Sequence, residues 1–115
     1  MEEREKSYLV EITSKAEQYY WELLAHLYET HSIESADKKS GEIMKLAMSL
    51  AVNPQRGILE EDLASFNKEF RSILYPITKR NTVKIIYFIN EFTQKVYITD
   101  FFATVMNPDK KRKRS

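Results

Sequence analysis

Cysteine is absent from this 115-residue chain, and glycine occurs only twice, at Gly41 and Gly57. Without cysteine there is no disulfide, no thiolate metal site and no cysteine nucleophile. Two isolated glycines cannot form a glycine-rich phosphate loop. No apolar run approaches the roughly 20 residues of a membrane span, and residues 1–7 lack the apolar stretch of a signal peptide. We therefore expect a cytoplasmic protein with no membrane association.

The two histidines do not form a recognisable metal motif. His26 and His31 are five residues apart, whereas a helical zinc pair needs a spacing of four. No third ligand is evident, so we predict neither a metal nor another cofactor. Apolar residues make up 43% and charged residues 30% of the chain, which is typical of a globular domain.

Charge is distributed unevenly although the net charge is only +1. Residues 1–62 carry 13 acidic and 7 basic side chains, whereas residues 63–115 carry 4 acidic and 11 basic ones. Such an asymmetry favours contact between the basic half and a polyanion. Five of the eleven cations lie in residues 110–114, where a solvated tail is the alternative interpretation.

Apolar periodicity predicts a strand followed by a helical hairpin. Residues 7–13 are partly β-branched or aromatic, and Ser14 with Glu17 has the spacing of a capping box. Helical spacing then continues to about Thr30, resumes after Ser32 or Ser35, and stops before Pro54. The predicted inward stripes are Ala16, Tyr20, Leu23 and Leu27 in the first helix, and Ala36, Ile43, Ala47 and Leu50 in the second.

The period changes to alternation in the second half of the chain. After a linking loop at 53–68, residues 70–75, 82–89 and 95–101 are predicted strands, and residues 82–89 are apolar on both faces. The order β-α-α-β-β-β predicts an α+β fold, with the hairpin 14–52 on a mostly antiparallel sheet of about four strands. We expect one domain over 1–115, with a charged extension at 1–6 and a basic tail at 109–115.

Cations on the predicted strands are candidate phosphate ligands. Arg71 and Lys84 lie in strands that are expected to pair, and each alternates with apolar residues. Lys68, Lys79, Arg80 and Lys95 lie near the strand ends. An ordinary surface cation is the alternative for each. The aromatic stripe Tyr19, Tyr20, Trp21 and Tyr28 fits either a stacking platform or the core.

Over residues 8–108 the chain resembles the RelE/ParE superfamily of plasmid stabilisation proteins. The resemblance is carried by residues 50–57 (LAVNPQRG), 70–73 (FRSI), 83–89 (VKIIYFI) and 96–102 (VYITDFF), in this order and on this plan. It implies a helical hairpin on a twisted antiparallel sheet. It also implies the toxin of a bacterial type II toxin–antitoxin pair, neutralised by an antitoxin that wraps it.

The resemblance implies one of two targets. RelE-like members cleave mRNA on the ribosome, which would make Arg71 and Lys84 catalytic and Lys68, Lys79 and Arg80 ligands of RNA phosphate. ParE-like members inhibit DNA gyrase without cutting nucleic acid. Residues 103–108 (ATVMNP) contain no arginine and no tyrosine follows Tyr97, although nuclease members carry both. Ribosome-dependent cleavage or a related translation block, gyrase inhibition, and a toxin that acts by binding only therefore all remain open.

Overall fold

A computed structural model of the protein describes residues 7–66 and 68–104. The predicted extension at 1–6 and the tail at 109–115 lie outside the described residues. The elements are strand β1 (Leu9–Ile12), helices α1 (Ser14–Thr30) and α2 (Ile33–Met48), and strands β2 (Ile58–Leu59), β3 (Phe70–Pro76), β4 (Thr82–Asn90) and β5 (Lys95–Ala103). Short 3₁₀ turns span Ser49–Ala51, Pro54–Arg56 and Glu61–Phe66.

The strands form one five-stranded sheet in the order β1-β5-β4-β3-β2. Strand β1 runs parallel to β5, and the other neighbours are antiparallel. The predicted α+β class is confirmed, and β4, which is apolar on both faces, is the central strand. The fifth strand, β2, lies within the segment that was predicted to be a loop, because two residues are too few to establish an alternating pattern.

The two helices form the predicted hairpin, with one change at the first cap. The helix begins at Ser14, but the capping residue is Thr13, whose hydroxyl oxygen accepts a hydrogen bond from the amide of Ala16 at 3.1 Å. Ser32 caps α2 in the same way, by accepting from the amide of Ser35 at 3.1 Å. The predicted cap at Ser14 is therefore wrong by one residue, and the capping box is wrong as well, because the third residue after Thr13 is Ala16 and not a glutamate.

One face of the sheet, called here the covered face, packs against the hairpin. Residues of both predicted helical stripes are buried there, including Leu23, Leu27 and Ile43. The strands contribute the alternate residues Val83, Ile85 and Tyr87 of β4, Val96 and Ile98 of β5, and, further along β5, Phe101 and Ala103. Burying this many apolar side chains from both layers is the main stabilising contribution to the fold.

The other face, called here the open face, is not covered by the helices. Its small apolar cluster contains Leu63, Ile86 and Phe102, with Phe70 packed against it. An irregularity in β5 sets which residues reach this face. Ile86 pairs with Asp100 and Tyr87 pairs with Ile98, so Thr99 is an extra residue opposite β4. This bulge brings both Tyr97 and Asp100 to the open face.

Candidate functional site

Arg71 lies on the covered side of the sheet, beside its cross-strand partner Tyr87. Its guanidinium donates hydrogen bonds to the carbonyl oxygens of Gln55 at 3.1 Å and Gly57 at 2.9 Å. A salt bridge to Glu69 is long, at 4.0 Å. Arg71 thus holds the turn that follows α2 against the sheet.

Tyr87 also holds this turn, from its position in the covered face of the sheet. Its hydroxyl donates to the carbonyl oxygen of Pro54 at 2.5 Å, and burial raises the pKa of this phenol. A Cβ at Gly57 would lie 2.1 Å from the Tyr87 hydroxyl oxygen and 2.9 Å from the carbonyl oxygen of Ser72. Only glycine lets the turn approach this closely, so Gly57, Tyr87 and Arg71 form one structural unit.

Lys84 lies on the open face, where its charge is matched by a buried carboxylate. Its Nζ is 3.0 Å from Oε2 of Glu60, and the Ser72 hydroxyl donates to the same oxygen at 2.7 Å. Glu60 is only 7% exposed. The cluster attaches the segment after β2 to the middle of the sheet.

The structure therefore does not bring Arg71 and Lys84 together. The two residues lie in neighbouring strands, as predicted, but on opposite faces of the sheet. Because each also has an internal partner, they do not form one phosphate-binding pair. Phosphate contact by Arg71 or by Lys84 stays a prediction.

The other three predicted phosphate ligands lie at opposite ends of β3. Lys68 precedes the strand, whereas Lys79 and Arg80 are exposed in the turn that follows it. Lys68 contacts an aromatic side chain of β4: its Nζ lies 5.2 Å from the centroid of the Phe88 ring. Lys79 and Arg80 stay predictions without a neighbouring feature that supports them.

Three aromatic rings from adjacent strands form a continuous row on the open face, called here the aromatic row. The centroids of Phe70 and Phe88 are 5.6 Å apart in an edge-to-face contact, and those of Phe88 and Tyr97 are 5.1 Å apart and stacked. All three side chains are half-buried. Lys68 lies against the middle ring, and among the residues that the structure describes it forms no salt bridge.

The sequence pattern pointed to a different set of aromatic residues. Tyr20 packs on Phe101 at 5.1 Å between centroids, and the Tyr28 hydroxyl donates to Asp37. Trp21 is 59% exposed. Tyr20, Trp21 and Tyr28 are therefore divided between core and surface. The apolar alternation of β4 was a signal for Phe88, but the Tyr97 position depends on the pairing register of β5.

Among the residues that the structure describes, cavities adjoin the aromatic row. One of about 610 Å³ lies between the first turns of α1 and the open face, and a second of about 360 Å³ lies at the start of β3. Lys68 lines both. The larger cavity is lined by Thr13, Ser14, Lys15, Tyr19, Leu63, Lys68, Phe70, Ile86, Thr99 and Asp100.

Within residues 7–66 and 68–104, no group of three or more histidine, aspartate or glutamate side chains is placed to hold a metal ion. The described helices include none with the length and apolar character needed to cross a membrane. Comparison with known proteins gives neither a matching family model nor a matching curated sequence.

Proposed function

We propose that this chain is the toxin of a type II toxin–antitoxin pair, and that it blocks translation by binding RNA through the aromatic row without cutting it. The observation that carries the proposal is the row of Phe70, Phe88 and Tyr97 on the face that the helices leave uncovered, with Lys68 against its middle ring. The resemblance to RelE/ParE toxins supplies the biological setting.

Stacking is the interaction that this surface favours. Each unpaired base stacked on an aromatic side chain contributes about 1–3 kcal/mol, and the interaction tolerates any base sequence. Charge contributes less to RNA binding, because nearby carboxylates neutralise two of the lysines. Oε2 of Glu11 lies 3.2 Å from Nζ of Lys95, and Oε2 of Glu60 lies 3.0 Å from Nζ of Lys84. Lys68 is left to contact a phosphate next to the stacked bases.

Cleavage is the weaker alternative because it needs several cations at one scissile phosphate. Arg71 and Lys84 face opposite sides of the sheet, and each is held by the chain itself. The arginine and tyrosine that nuclease members carry after the last strand are also absent from residues 103–108. A nuclease or a gyrase inhibitor is treated as an outcome of the experiment below.

The implied partner is an antitoxin that covers the open face in the cytoplasm. A covering segment would bury the half-buried rings and place acidic side chains near Lys68. Complementary charge of this kind increases the rate of association more than the affinity.

The test is regulated expression in a bacterial host, comparing wild type with Phe88→Leu and with the matched control Phe92→Leu. Phe92 is 97% exposed in the turn between β4 and β5, so its loss leaves the row intact. We expect wild type and Phe92→Leu to stop growth and amino-acid incorporation while a reporter mRNA stays whole. Phe88→Leu should relieve the arrest and weaken binding of a short oligoadenylate to purified protein by about tenfold.

Other outcomes contradict the proposal in distinguishable ways. An mRNA cut within its translated frame would establish the nuclease. Arrest with normal translation and a DNA-damage response would establish gyrase inhibition. Expression without arrest would remove the toxin assignment, as would the absence of a short neighbouring reading frame whose product relieves the arrest.

A further inference from the structure

We infer that the side of the helical hairpin that faces away from the sheet is a dimerisation surface for a second copy of this chain. Three large apolar side chains of the hairpin lie outside both buried clusters and stay exposed: Trp21 at 59%, Tyr28 at 41% and Met48 at 46%. This surface is called here the outer helix face. Its exposed residues are Trp21, Glu22, Ala25, Tyr28 and Glu29 of α1, and Lys38, Gly41, Lys45 and Met48 of α2. The inference goes beyond the proposed function and does not depend on it.

Each helix carries a pair of like charges on the outer helix face, and the two pairs have opposite sign. The acidic pair is Glu22 and Glu29 on α1, and the basic pair is Lys38 and Lys45 on α2. Seven residues are about two helical turns, so each pair lies along one side of its helix, with its members about 10 Å apart. None of the four forms a salt bridge within the described part of the chain.

The other acidic side chains near the basic pair are mostly engaged within the chain. Asp37 accepts a hydrogen bond from the Tyr28 hydroxyl, and Glu42 accepts one from the Tyr75 hydroxyl. Glu34 is exposed in the first turn of α2, beyond the stretch between the two lysines. The outer helix face therefore presents an acidic helix beside a basic one.

The two pairs are placed so that a two-fold axis parallel to the helices brings them together. The hydrogen bond from Tyr28 to Asp37 shows that these two positions lie level in the hairpin. Counted from there along the antiparallel helices, the acidic pair and the basic pair lie level to within two residues. Rotation about such an axis keeps each level and exchanges α1 with α2. It therefore sets the acidic pair of each copy against the basic pair of the other, as a self-complementary interface requires.

A small residue lies between the members of each pair, which lets the helices of two copies approach closely. Ala25 has this position on α1 and Gly41 has it on α2. A Cβ at Gly41 would meet nothing within 4 Å, so no contact within the described chain requires glycine there, although glycine is the poorest helix former after proline. In the dimer Ala25 of one copy lies close to the level of Gly41 of the other, where the two helices cross.

The size of the face sets the expected strength of the dimer. Helix α1 has 17 residues, which is about 25 Å, and two adjacent helices are about 20 Å wide. This footprint is smaller than the roughly 800 Å² per partner of a standard stable interface, so we expect a dissociation constant in the micromolar range. A partner of different sequence needs only one of the two charge patterns, whereas this face carries both at equal spacing.

The test follows sedimentation velocity of the full chain from low micromolar to submillimolar concentration, together with the fluorescence of Trp21, the only tryptophan. We expect a change from monomer to dimer and a parallel blue shift of the emission, because Trp21 lies on the outer helix face. The double variants Glu22→Lys/Glu29→Lys and Lys38→Glu/Lys45→Glu should each stay monomeric, because like charges then oppose each other. When the two are mixed they should form a heterodimer, because one hairpin is then basic and the other acidic.

Two further variants separate the charge pattern from net charge and from folding. The matched control Glu61→Lys/Glu69→Lys makes the same charge change at two exposed carboxylates outside the helices, and it should dimerise as wild type does. Gly41→Gln puts a better helix former into α2, so the monomer stays folded. Its larger side chain should weaken dimerisation at least about tenfold.

Three results would overturn the inference. The first is a wild type that stays monomeric at the highest concentration, and the second is a pair of charge variants that do not associate when mixed. The third is a dimer that forms without any change in Trp21 emission, which would place the contact on another face of the molecule.

The dimer and the proposed RNA surface fail separately, because the open face lies on the far side of the sheet from the hairpin. Phe88→Leu should leave self-association unchanged while oligoadenylate binding falls. Gly41→Gln should weaken self-association while the affinity of each chain for oligoadenylate stays that of wild type. A dimer without oligoadenylate binding would preserve the outer helix face and overturn the role of the aromatic row, and the reverse result would do the opposite.

Discussion

The covered and open faces of the sheet both carry aromatic side chains, but they differ in what surrounds the rings. On the covered face Tyr87 is fully buried, and its hydroxyl bonds to the turn after α2. On the open face Phe88 contacts two rings and a lysine, and one side of it remains half-exposed. Aromatic residues that complete a core have no surface left for a ligand, whereas a row with one free side does. The following variants test this division.

The largest effect is expected for Gly57→Ala at the edge of the covered face. The new Cβ would lie 2.1 Å from the Tyr87 hydroxyl oxygen, so Tyr87 or the turn must move. Overpacking of this kind typically costs about 1–3 kcal/mol, and a loss near the upper end is expected in urea unfolding. The control is Gly41→Ala, where a Cβ meets nothing within 4 Å. That change should stabilise the helix by roughly 0.5–1 kcal/mol.

A loss confined to Gly57→Ala would confirm that the turn is held by contact with Tyr87. Oligoadenylate binding by the folded fraction should not change, because the aromatic row lies on the open face. Equal unfolding free energies for the two variants would contradict this account of the covered face.

An intermediate effect is expected for Lys84→Met on the open face. Removing the lysine takes away the cation that lies 3.0 Å from Oε2 of Glu60, which is 7% exposed. Breaking a buried pair costs about 3–5 kcal/mol, but Lys84 is 26% exposed, so screening reduces our expectation to about 1–3 kcal/mol. The double variant with Glu60→Gln should recover most of this loss. Lys95→Met is the control, because its pair with Glu11 is more exposed.

The result also decides how Lys84 is used. If Lys84→Met leaves the unfolding free energy unchanged while RNA binding falls, its charge serves a ligand, as the sequence predicted. A stability loss with unchanged RNA binding would instead support the structural role of the Lys84–Glu60 pair.

The smallest effect is expected for the pH dependence of the free energy of unfolding, through Tyr75 on the covered face. Burial, together with a hydrogen bond to Glu42, raises the pKa of Tyr75 to about 12. The raised pKa means that the folded state favours the protonated phenol, so this contribution is complete below pH 10 and is lost as the pH rises from 10 to 12. Tyr75→Phe should therefore lose less stability than wild type between pH 8 and pH 11. Identical losses in urea unfolding would contradict the prediction.

The fold was predictable from the sequence because the apolar periods are long. Two helical stripes and three alternating segments fixed the element order, and the boundaries of α1, β3 and β4 agree within one or two residues. Strand β2 was missed because two residues carry no period. The one-residue error at the first cap arose because Thr13 and Ser14 are both good capping residues.

The candidate site was less predictable because it depends on register. Arg71 pairs with Tyr87, and this fact alone places Lys84 on the other face. Asp100 would follow Val96 and Ile98 onto the covered face if β5 alternated regularly, and the extra residue Thr99 reverses this. A bulge has no reliable signature in a single sequence, so neither the aromatic row nor the cavity was evident before the pairing was known.

The parallel pairing of β1 with β5 has a kinetic consequence. Leu9 lies opposite Lys95, so this pair closes a loop that includes most of the chain. The entropy cost of closure grows with loop length, and such long-range contacts slow folding. The hairpins β3–β4 and β4–β5 can form earlier, which would present the rings of the open face before β1 docks. The larger cavity, bounded by the residues just after β1, is then among the last parts of the molecule to assemble.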